Sequence, residues 1–287
     1  MPNLNISPCL DSSAMAAQRK QELSIPREIA ASLGVSAFQI AKQGWYLDGM
    51  KEKVDFSKQV GDCIQRKISI PPDFALPKNS PQHDETRVQV TNETTLQAGQ
   101  RLLGKKVLAL NFANGVSPGG GFLHGARAQE ECLCRSSALY LTLLGDPMYA
   151  AHAKRPEPDS TDWAILSPDV PVFRSDDGEV LNSPFLLSFL TCAAPYAPTV
   201  GKIESAILMK SRIHRVLKIA RAYGYDALVL GAWGCGAFDN DPVATAKDFK
   251  AALEGDFAGT FAEVVFAITD WSPERRMLGP FRDLFAE

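Results

Sequence analysis

The order of apolar and polar positions divides the chain into two regions. Residues 1–20 are polar and lack periodicity, so we expect them to be disordered or loosely attached. From Ile25 the pattern becomes helical, because Pro26 suits a first helical turn and apolar residues recur at helical spacing over 27–43. A polar segment with several prolines, 71–85, predicts a linker or exposed loop. We therefore expect residues 1–85 to form a partly helical accessory region.

Strand and helix patterns alternate over residues 86–287. Strands are predicted at 86–90, 106–112, 163–167, 184–192, 227–230 and 263–268, and helices at 94–103, 129–144, 203–223 and 242–253. Thr91 or Asn92 is the expected cap of the first of these helices. The continuous apolar run at 106–112 is typical of a strand buried in a central sheet. This alternation favours an α/β fold, a mixed three-layer sandwich around one sheet.

Composition places the chain among ordinary globular proteins. Of its 287 residues, 45% are hydrophobic and 22% are charged. No apolar run approaches the ~20 residues that span a bilayer, and the start lacks the basic-then-apolar order of a secretory signal. We therefore expect a cytoplasmic protein without a membrane partner. A net charge of −3 argues against direct binding of duplex nucleic acid, so an anionic ligand would be held by local backbone N–H groups.

The six cysteines show no disulfide or metal-binding pattern. They are scattered without paired CxxC units, and the four histidines do not stand at metal-ligand spacing from them. Reduced thiols are the preferred interpretation, in keeping with a reducing compartment. A structural zinc site is not expected.

Residues 111–131 form the first of two glycine-rich loops with a chemical interpretation. The segment leaves the buried strand, contains three consecutive glycines at 119–121 and enters a helix. Three glycines in a row are costly in backbone entropy, so they indicate positive φ angles or close approach to a ligand. Glu130 and Glu131 fall in the first turn of the helix. Acidic residues are common there and usually solvated, but beside this loop we interpret the pair as functional.

Residues 228–241 form the second loop, in which an apolar strand runs into Gly231, Gly234 and Gly236 before a helix near Pro242. Backbone amides in such a turn can form an anion-binding nest for a pair of phosphates. The glycine order GxxGxG does not match the dinucleotide fingerprint GxGxxG, and no GK[ST] follows. Tight packing of strand against helix without a ligand is the alternative.

Three side chains within these loops invite chemical hypotheses. Phe238 could pack against a ribose. Cys235 would need a nearby base to act as a nucleophile, and since the sequence places none beside it, a small apolar role is preferred. His124 lies between the glycines and the glutamates, where a solvated loop histidine is preferred over a substrate contact.

Together these motifs resemble the signature of poly(ADP-ribose) glycohydrolases, in which a glycine triplet precedes a Gln-Glu-Glu triplet. Here the glycines at 119–121 are followed by seven residues and then by Gln129, Glu130 and Glu131. The surrounding sequence is similar to the bacterial and fungal, microbial type of that family rather than to the longer animal enzymes. Segments 40–46, 167–174 and 231–241 resemble further blocks of the same group, so the likeness covers residues 26–287.

The resemblance implies a macrodomain-like catalytic domain at 86–287 with an N-terminal helical extension at 1–85. The family cleaves ribose–ribose O-glycosidic bonds and releases ADP-ribose. By motif position Glu131 is the expected general acid/base, and Glu130 the residue that hydrogen-bonds the neighbouring ribose. A diphosphate loop and a ribose-positioning aromatic are also implied. The expected substrate-binding residues are Asn114, Gly119, Gly120, Gly121, Gln129, Gly234, Cys235, Gly236, Ala237 and Phe238.

The chemistry requires a proton donor at the glycosidic oxygen. The bond breaks through an oxocarbenium-like transition state, and the leaving oxygen must gain a proton. Glu131 would have to be protonated near neutral pH, which partial burial, Glu130 and a bound anionic substrate favour and the helix N-terminus opposes. Consecutive helical residues point about 100° apart. One acid/base and one positioning carboxylate therefore fit better than two carboxylates on opposite faces of the sugar.

The resemblance also implies the partners. They are poly(ADP-ribose) as substrate, ADP-ribose as product and ADP-ribosylated proteins, with no cofactor and no metal, and we expect a monomer. Alternatives are a hydrolase that removes single ADP-ribose units from proteins, a non-catalytic ADP-ribose-binding macrodomain and a nucleotide-dependent oxidoreductase. The paired glutamates argue against the second alternative, and the unmatched fingerprint argues against the third. The physiological role, in the DNA-damage response, NAD recycling or defence, stays open.

Overall fold

The computed structural model of the protein describes residues 3–286, with strands and helices in alternation. The strands are β1 (Asn3–Ile6), β2 (Trp45–Leu47), β3 (Lys53–Asp55), β4 (Ile68–Ile70), β5 (Glu85–Thr91), β6 (Val107–Ala113), β7 (Ala164–Arg174), β8 (Val180–Ala193), β9 (Ala227–Leu230) and β10 (Glu263–Ala267). The helices are α1 (Ser13–Leu23), α2 (Arg27–Gln43), α3 (Ser57–Arg66), α4 (Thr95–Arg101), α5 (Gln129–Ser136), α6 (Leu139–Leu143), α7 (Pro147–His152), α8 (Ala197–Val200), α9 (Lys202–Ala222), α10 (Pro242–Glu254) and α11 (Leu278–Leu284).

Eight of the strands form one sheet, in the order β1-β5-β10-β9-β6-β8-β7-β4, and β2 pairs with β3 in a separate hairpin. Neighbours from β1 to β8 in that order run parallel. Strand β7 is antiparallel to both β8 and β4. Parallel neighbours need crossover connections, which helices provide here. The mixed central sheet between helices, predicted from the sequence, is confirmed.

Two apolar clusters cover the faces of the sheet, and β6 contributes to both. Its residues Leu108 and Leu110 pack with α9, α10 and α11 on one face. The alternate residues Val107 and Ala109 pack with α2, α3 and α5 on the other. Successive side chains of a strand point to opposite faces, so a strand covered on both sides reads as one unbroken apolar run. This is why 106–112 showed no alternation.

The expectation of a disordered N-terminus is wrong for the described residues of 1–20; residues 1 and 2 lie outside them. Strand β1 pairs in parallel with β5, with Asn3 opposite Glu85. Helix α1 begins behind Ser12, whose Oγ accepts a hydrogen bond from Met15 N at 3.1 Å. An edge strand of four mostly exposed residues has too few buried positions to produce a pattern. The domain boundary at residue 85 stays a prediction, although β1 and β4 share the sheet with the later strands.

Two helix predictions differ from the structure in their ends. The single helix expected at 129–144 is divided into α5 and α6, because Ser137 is extended and forms an isolated bridge with Val172. Helix α4 is capped by Thr94, whose side chain accepts from Gln97 N at 3.1 Å in a capping box, rather than by the two preceding candidates. The bridge between Ser137 and the distant β7 ends α5. Helix α4 begins at Thr95 because the reciprocal bonds of the capping box form at Thr94.

Candidate active site

A cavity of about 490 Å³ lies at the carboxyl ends of β5, β10, β9, β6 and β8. Ligands of open α/β sheets bind at this edge, where loops leave the strands. The sheet is partly open here, because β9 pairs with β6 only from Val107 to Ala109 and the last residues of β6 have no partner on that side. Both glycine-rich loops start at this edge.

Five of the predicted substrate-binding residues line the cavity, namely Gln129, Gly234, Gly236, Ala237 and Phe238. Asn114, Cys235 and the two predicted catalytic residues, Glu130 and Glu131, are chain neighbours of lining residues. Gly119, Gly120 and Gly121 are not among the lining residues. The fold therefore brings the two loops, about a hundred residues apart along the chain, to one cleft. The individual roles of these residues stay predictions.

Gln129 fastens the start of α5 to the end of β6. Its Oε1 accepts a hydrogen bond from Phe112 N at 2.9 Å, and its Nε2 donates to Leu110 O at 2.8 Å and to Thr95 Oγ1 at 3.1 Å. These bonds replace the strand partner that β6 lacks at this point. The side-chain amide thereby sets the position of the helical turn that carries the two glutamates.

Glu130 is buried and bonded through both oxygens. It is 2% exposed, its Oε2 accepts from Asn114 N at 2.7 Å, and its Oε1 accepts from Asn111 Nδ2 at 3.3 Å. Burial raises the pKa of Glu130 to about 8; the bond from Asn114 opposes this shift and the charge of Glu131 adds to it. This shift favours the protonated form of Glu130 near neutral pH, and the role of Glu131 as the acid stays a prediction.

Glu131 has one oxygen bonded and one unpartnered. Its Oε1 accepts from Gly121 N at 3.0 Å, whereas its buried Oε2 has no hydrogen-bond partner in the described chain. A buried carboxylate oxygen without a protein partner is costly, which marks Glu131 as a candidate for a functional role. Gly120 makes room for this arrangement: at φ +57°, its added Cβ would overlap Glu131 Oε1 and lie 3.1 Å from Glu130 Oε2.

The second loop has free N–H groups on residues that line the cavity. The backbone N–H groups of Gly234, Gly236 and Ala237 donate to no other described residue. Asn240 holds the loop from behind, because its Nδ2 donates to Pro195 O at 2.9 Å and to Gly234 O at 3.1 Å. Several free N–H groups in one turn form a nest suited to phosphate oxygens.

The aromatic at the end of the loop is held in place. The rings of Phe238 and Tyr196 meet edge to face, with centroids 5.7 Å apart, and Phe238 O accepts from Ala197 N at 3.0 Å. Cys235 is buried, and burial raises its thiol pKa to about 12, which agrees with a small apolar role. His124 is exposed, as expected of a solvated loop histidine.

Several lining residues were missed by the sequence analysis. Trp271 and Met277 follow β10, and the rule that ligands bind beyond the carboxyl ends of parallel strands could have found them. Asp176 lies in the turn between β7 and β8 and carries no local signal. Thr94 donates to Asp176 Oδ2 at 2.5 Å, and burial raises the pKa of Asp176 to about 6.

Within residues 3–286, no group of three or more His, Cys, Asp or Glu side chains is placed to hold a metal ion. None of the described helices is both long enough and apolar enough to cross a membrane. All six cysteines are free thiols.

Known proteins share both the sequence and the fold. A family model described as microbial-type PARG, catalytic domain, matches residues 35–175, where PARG denotes poly(ADP-ribose) glycohydrolase. Comparison with curated proteins finds no match. Among solved structures, PARG from Thermomonospora curvata is 38% identical with a TM-score of 0.80, covering 90% of this chain and 98% of that one.

Two ligand-bound structures are similar as well. The Thermomonospora curvata enzyme bound to the inhibitor ADP-HPD is 37% identical, with a TM-score of 0.82 and coverage of 90% of this chain and 99% of that one. PARG from Deinococcus radiodurans in complex with ADP-ribose is 36% identical, with a TM-score of 0.72 and coverage of 80% and 97%. The chain therefore belongs to the poly(ADP-ribose) glycohydrolase family, in its microbial type.

Proposed function

We propose that this protein hydrolyses the ribose–ribose O-glycosidic bonds of ADP-ribose polymers and releases ADP-ribose. The observation that carries the proposal is the Glu131 carboxylate, which is held by Gly121 N and keeps its second oxygen free of protein partners. It stands in the helical turn whose first residue, Gln129, lines the cavity. Relatives of similar fold bind ADP-ribose and ADP-HPD.

The cavity suits one ADP-ribose unit. Its volume of about 490 Å³ is in the range of small-molecule sites, and its wall combines apolar and polar groups. The free N–H groups of Gly234, Gly236 and Ala237 would receive the diphosphate. The Phe238 ring, fixed by Tyr196, would pack against the ribose whose bond is cut.

The two glutamates would work as a pair that holds one proton. Burial raises the pKa of Glu130 and the charge of Glu131 adds to this shift, so the pair would retain one proton near neutral pH. When the anionic substrate binds, the proton of the pair would pass to Glu131. In the cleavage step, the bond between the anomeric carbon and the glycosidic oxygen breaks while Glu131 Oε2 gives this proton to that oxygen. The remaining negative charge stabilises the oxocarbenium-like transition state. Glu131 then accepts a proton from the water that adds to the anomeric carbon, which restores the acid.

Product analysis on two substrates tests the proposal. Purified protein is incubated with poly(ADP-ribose) and, separately, with mono-ADP-ribosylated protein, and released ADP-ribose is separated by chromatography. We expect ADP-ribose from the polymer with the wild type and little with Glu131→Gln. Release from the mono-modified protein alone would favour the mono-ADP-ribosyl hydrolase. Binding of ADP-ribose with neither substrate cleaved would favour a non-catalytic macrodomain.

We further propose that the protein acts as a monomer in a reducing compartment such as the cytoplasm, where it would reverse ADP-ribosylation, including that which follows DNA damage. The six free thiols support a reducing compartment, since disulfides form and persist in oxidising ones. Light scattering after size exclusion tests the monomer, and cell fractionation tests the compartment. A stable dimer, or recovery of the protein outside the cytoplasmic fraction, would contradict the respective part.

A further inference from the structure

A buried histidine lies behind the first glycine-rich loop and has no part in the chemistry described so far. His152, the last residue of α7, is 3% exposed. Its Nδ1 lies 3.1 Å from Gly115 O. Its Nε2 lies 2.8 Å from Thr161 Oγ1 and 3.1 Å from Thr161 N. The ring therefore joins the loop to the segment that follows α7.

The partners determine which nitrogen of His152 carries the hydrogen. Gly115 O can only accept and Thr161 N can only donate, so Nδ1 is the protonated nitrogen and Nε2 the acceptor. The other tautomer would set a lone pair against the carbonyl of Gly115 and an N–H against the N–H of Thr161. His152 thus donates a hydrogen bond to the loop backbone.

At Gly115 the loop backbone packs tightly against the rest of the protein. A Cβ at this position would overlap Ser160 Oγ and would lie 3.3 Å from both Ala193 Cβ and His152 Nδ1. The next residue, Val116, is 52% exposed, so contact with the protein body ends there. The bond from His152 therefore acts where the loop leaves the sheet.

Asn114, the residue before Gly115, connects this tightly packed position to the glutamates. Asn114 N donates to Glu130 Oε2 at 2.7 Å, the shorter of the two bonds that Glu130 accepts. Asn114 Oδ1 accepts from Val116 N and Ser117 N, which makes the turn stiff. A displacement of the Gly115 carbonyl would therefore be transmitted to Asn114 N.

His152 is itself held from both sides. Asp146 caps the start of α7 by accepting from Met148 N at 3.0 Å, and it also accepts from Lys67 Nζ at 2.9 Å. On the other side the buried Arg212 donates to Ala193 O at 3.0 Å and to Asp159 O. Such fixed surroundings allow the imidazole to fix the loop in turn.

We propose that His152 is a positioning residue for the reaction. Its Nδ1–H holds the Gly115 carbonyl and so keeps Asn114 N on Glu130, which orients the glutamate pair towards the cavity. This inference rests on the proposed function. Loss of the bond would let the loop move by a fraction of an ångström or more, and misplacement of about 1 Å can cost on the order of 10²-fold in rate.

Two near-isosteric variants separate positioning from general stability. Asparagine places a donor where Nδ1 stands and keeps the bond to Gly115, whereas glutamine reaches towards the Nε2 position and loses it. We expect His152→Asn to retain most of kcat on poly(ADP-ribose), and His152→Gln and His152→Ala to lose on the order of 10²-fold. KM should change little, because the loop of Gly234 and Gly236 is untouched. His214→Asn, on a half-buried histidine of α9 that pairs with Asp256, is the control and should keep wild-type kcat.

Hydrogen exchange gives a readout that does not depend on activity. The amide of Asn114 should exchange faster in His152→Gln than in the wild type or His152→Asn, at equal melting temperatures. Wild-type kcat together with wild-type exchange in His152→Gln would overturn the inference, as would a His152→Asn variant as slow as His152→Ala. If the wild type itself releases no ADP-ribose, the proposed function fails, and the exchange comparison still decides whether His152 holds the loop.

Discussion

Gly121 N donates to Glu131 Oε1 at 3.0 Å, so the last glycine of the triplet directly holds the second glutamate. The chain between them turns back through the short 3-10 turn at Phe122–His124 before α5 begins. The loop and the helical turn are therefore one structural unit.

Glu131→Gln should abolish most turnover while preserving binding. An amide cannot give up a proton as the carboxylic acid does, so we expect kcat to fall by about 10²–10⁴-fold. The amide oxygen can still accept from Gly121, so calorimetry should show ADP-ribose affinity close to that of the wild type. Glu274→Gln, on an exposed surface, is the matched control. If Glu131→Gln turned over polymer at the wild-type rate, Glu131 would have no role as the acid.

Gly120→Ala should damage activity more than Gly145→Ala. Both glycines have positive φ, +57° and +70°, so each substitution should cost about 1–2 kcal/mol of stability. Only at position 120 would the added Cβ meet the two glutamates, whereas position 145 has open space. Urea unfolding measures the shared loss of stability, and kcat on polymer should fall only for Gly120→Ala. Equal kcat in the two variants would show that close approach at position 120 is irrelevant.

Phe238→Ala should weaken substrate positioning without unfolding the protein. Loss of the ring contact is expected to lower kcat/KM by about tenfold, equivalent to about 1.4 kcal/mol. Phe74→Ala is the control, because both rings are half-buried against the same apolar cluster but only Phe238 lines the cavity. Steady-state kinetics should separate the two variants, while thermal unfolding should show similar losses. Normal kinetics in Phe238→Ala would exclude the ring from substrate binding.

Glu130→Gln should change how stability depends on pH. The folded state raises the pKa of Glu130 from 4.5 to about 8, so the unfolded chain releases this proton first as pH rises. Wild-type stability should therefore fall between about pH 4.5 and pH 8, by up to about 1.4 kcal/mol per pH unit, and then level off. Glutamine does not titrate, so the free energy of unfolding of the variant should rise relative to that of the wild type from about pH 4.5 to pH 8. Urea unfolding of both proteins at several pH values measures this difference in free energy. Parallel profiles of stability against pH would contradict the raised pKa of Glu130.

The sequence by itself determined the six strands β5 to β10 of the sheet and the location of the chemistry. Unbroken apolar runs such as 106–112 and helical spacing such as 203–223 are local patterns, and burial on both faces of a sheet requires them. The functional interpretation of the glycine triplet before Glu130 and Glu131 also came from the sequence. Positive φ angles and close contacts favour glycine at these positions. These features depend on neighbours within a few positions along the chain.

Tertiary structure alone decided features that depend on distant partners. The N-terminal strand exists because β5 pairs with it, and the helix after Glu131 ends at Ser137 because that residue meets β7. Burial raises the pKa of Glu130 against the hydrogen bonds that Asn114 and Asn111 donate to it, and only the fold produces this burial. Burial and long-range hydrogen bonds leave no periodic trace in a single sequence, so only the folded chain shows them.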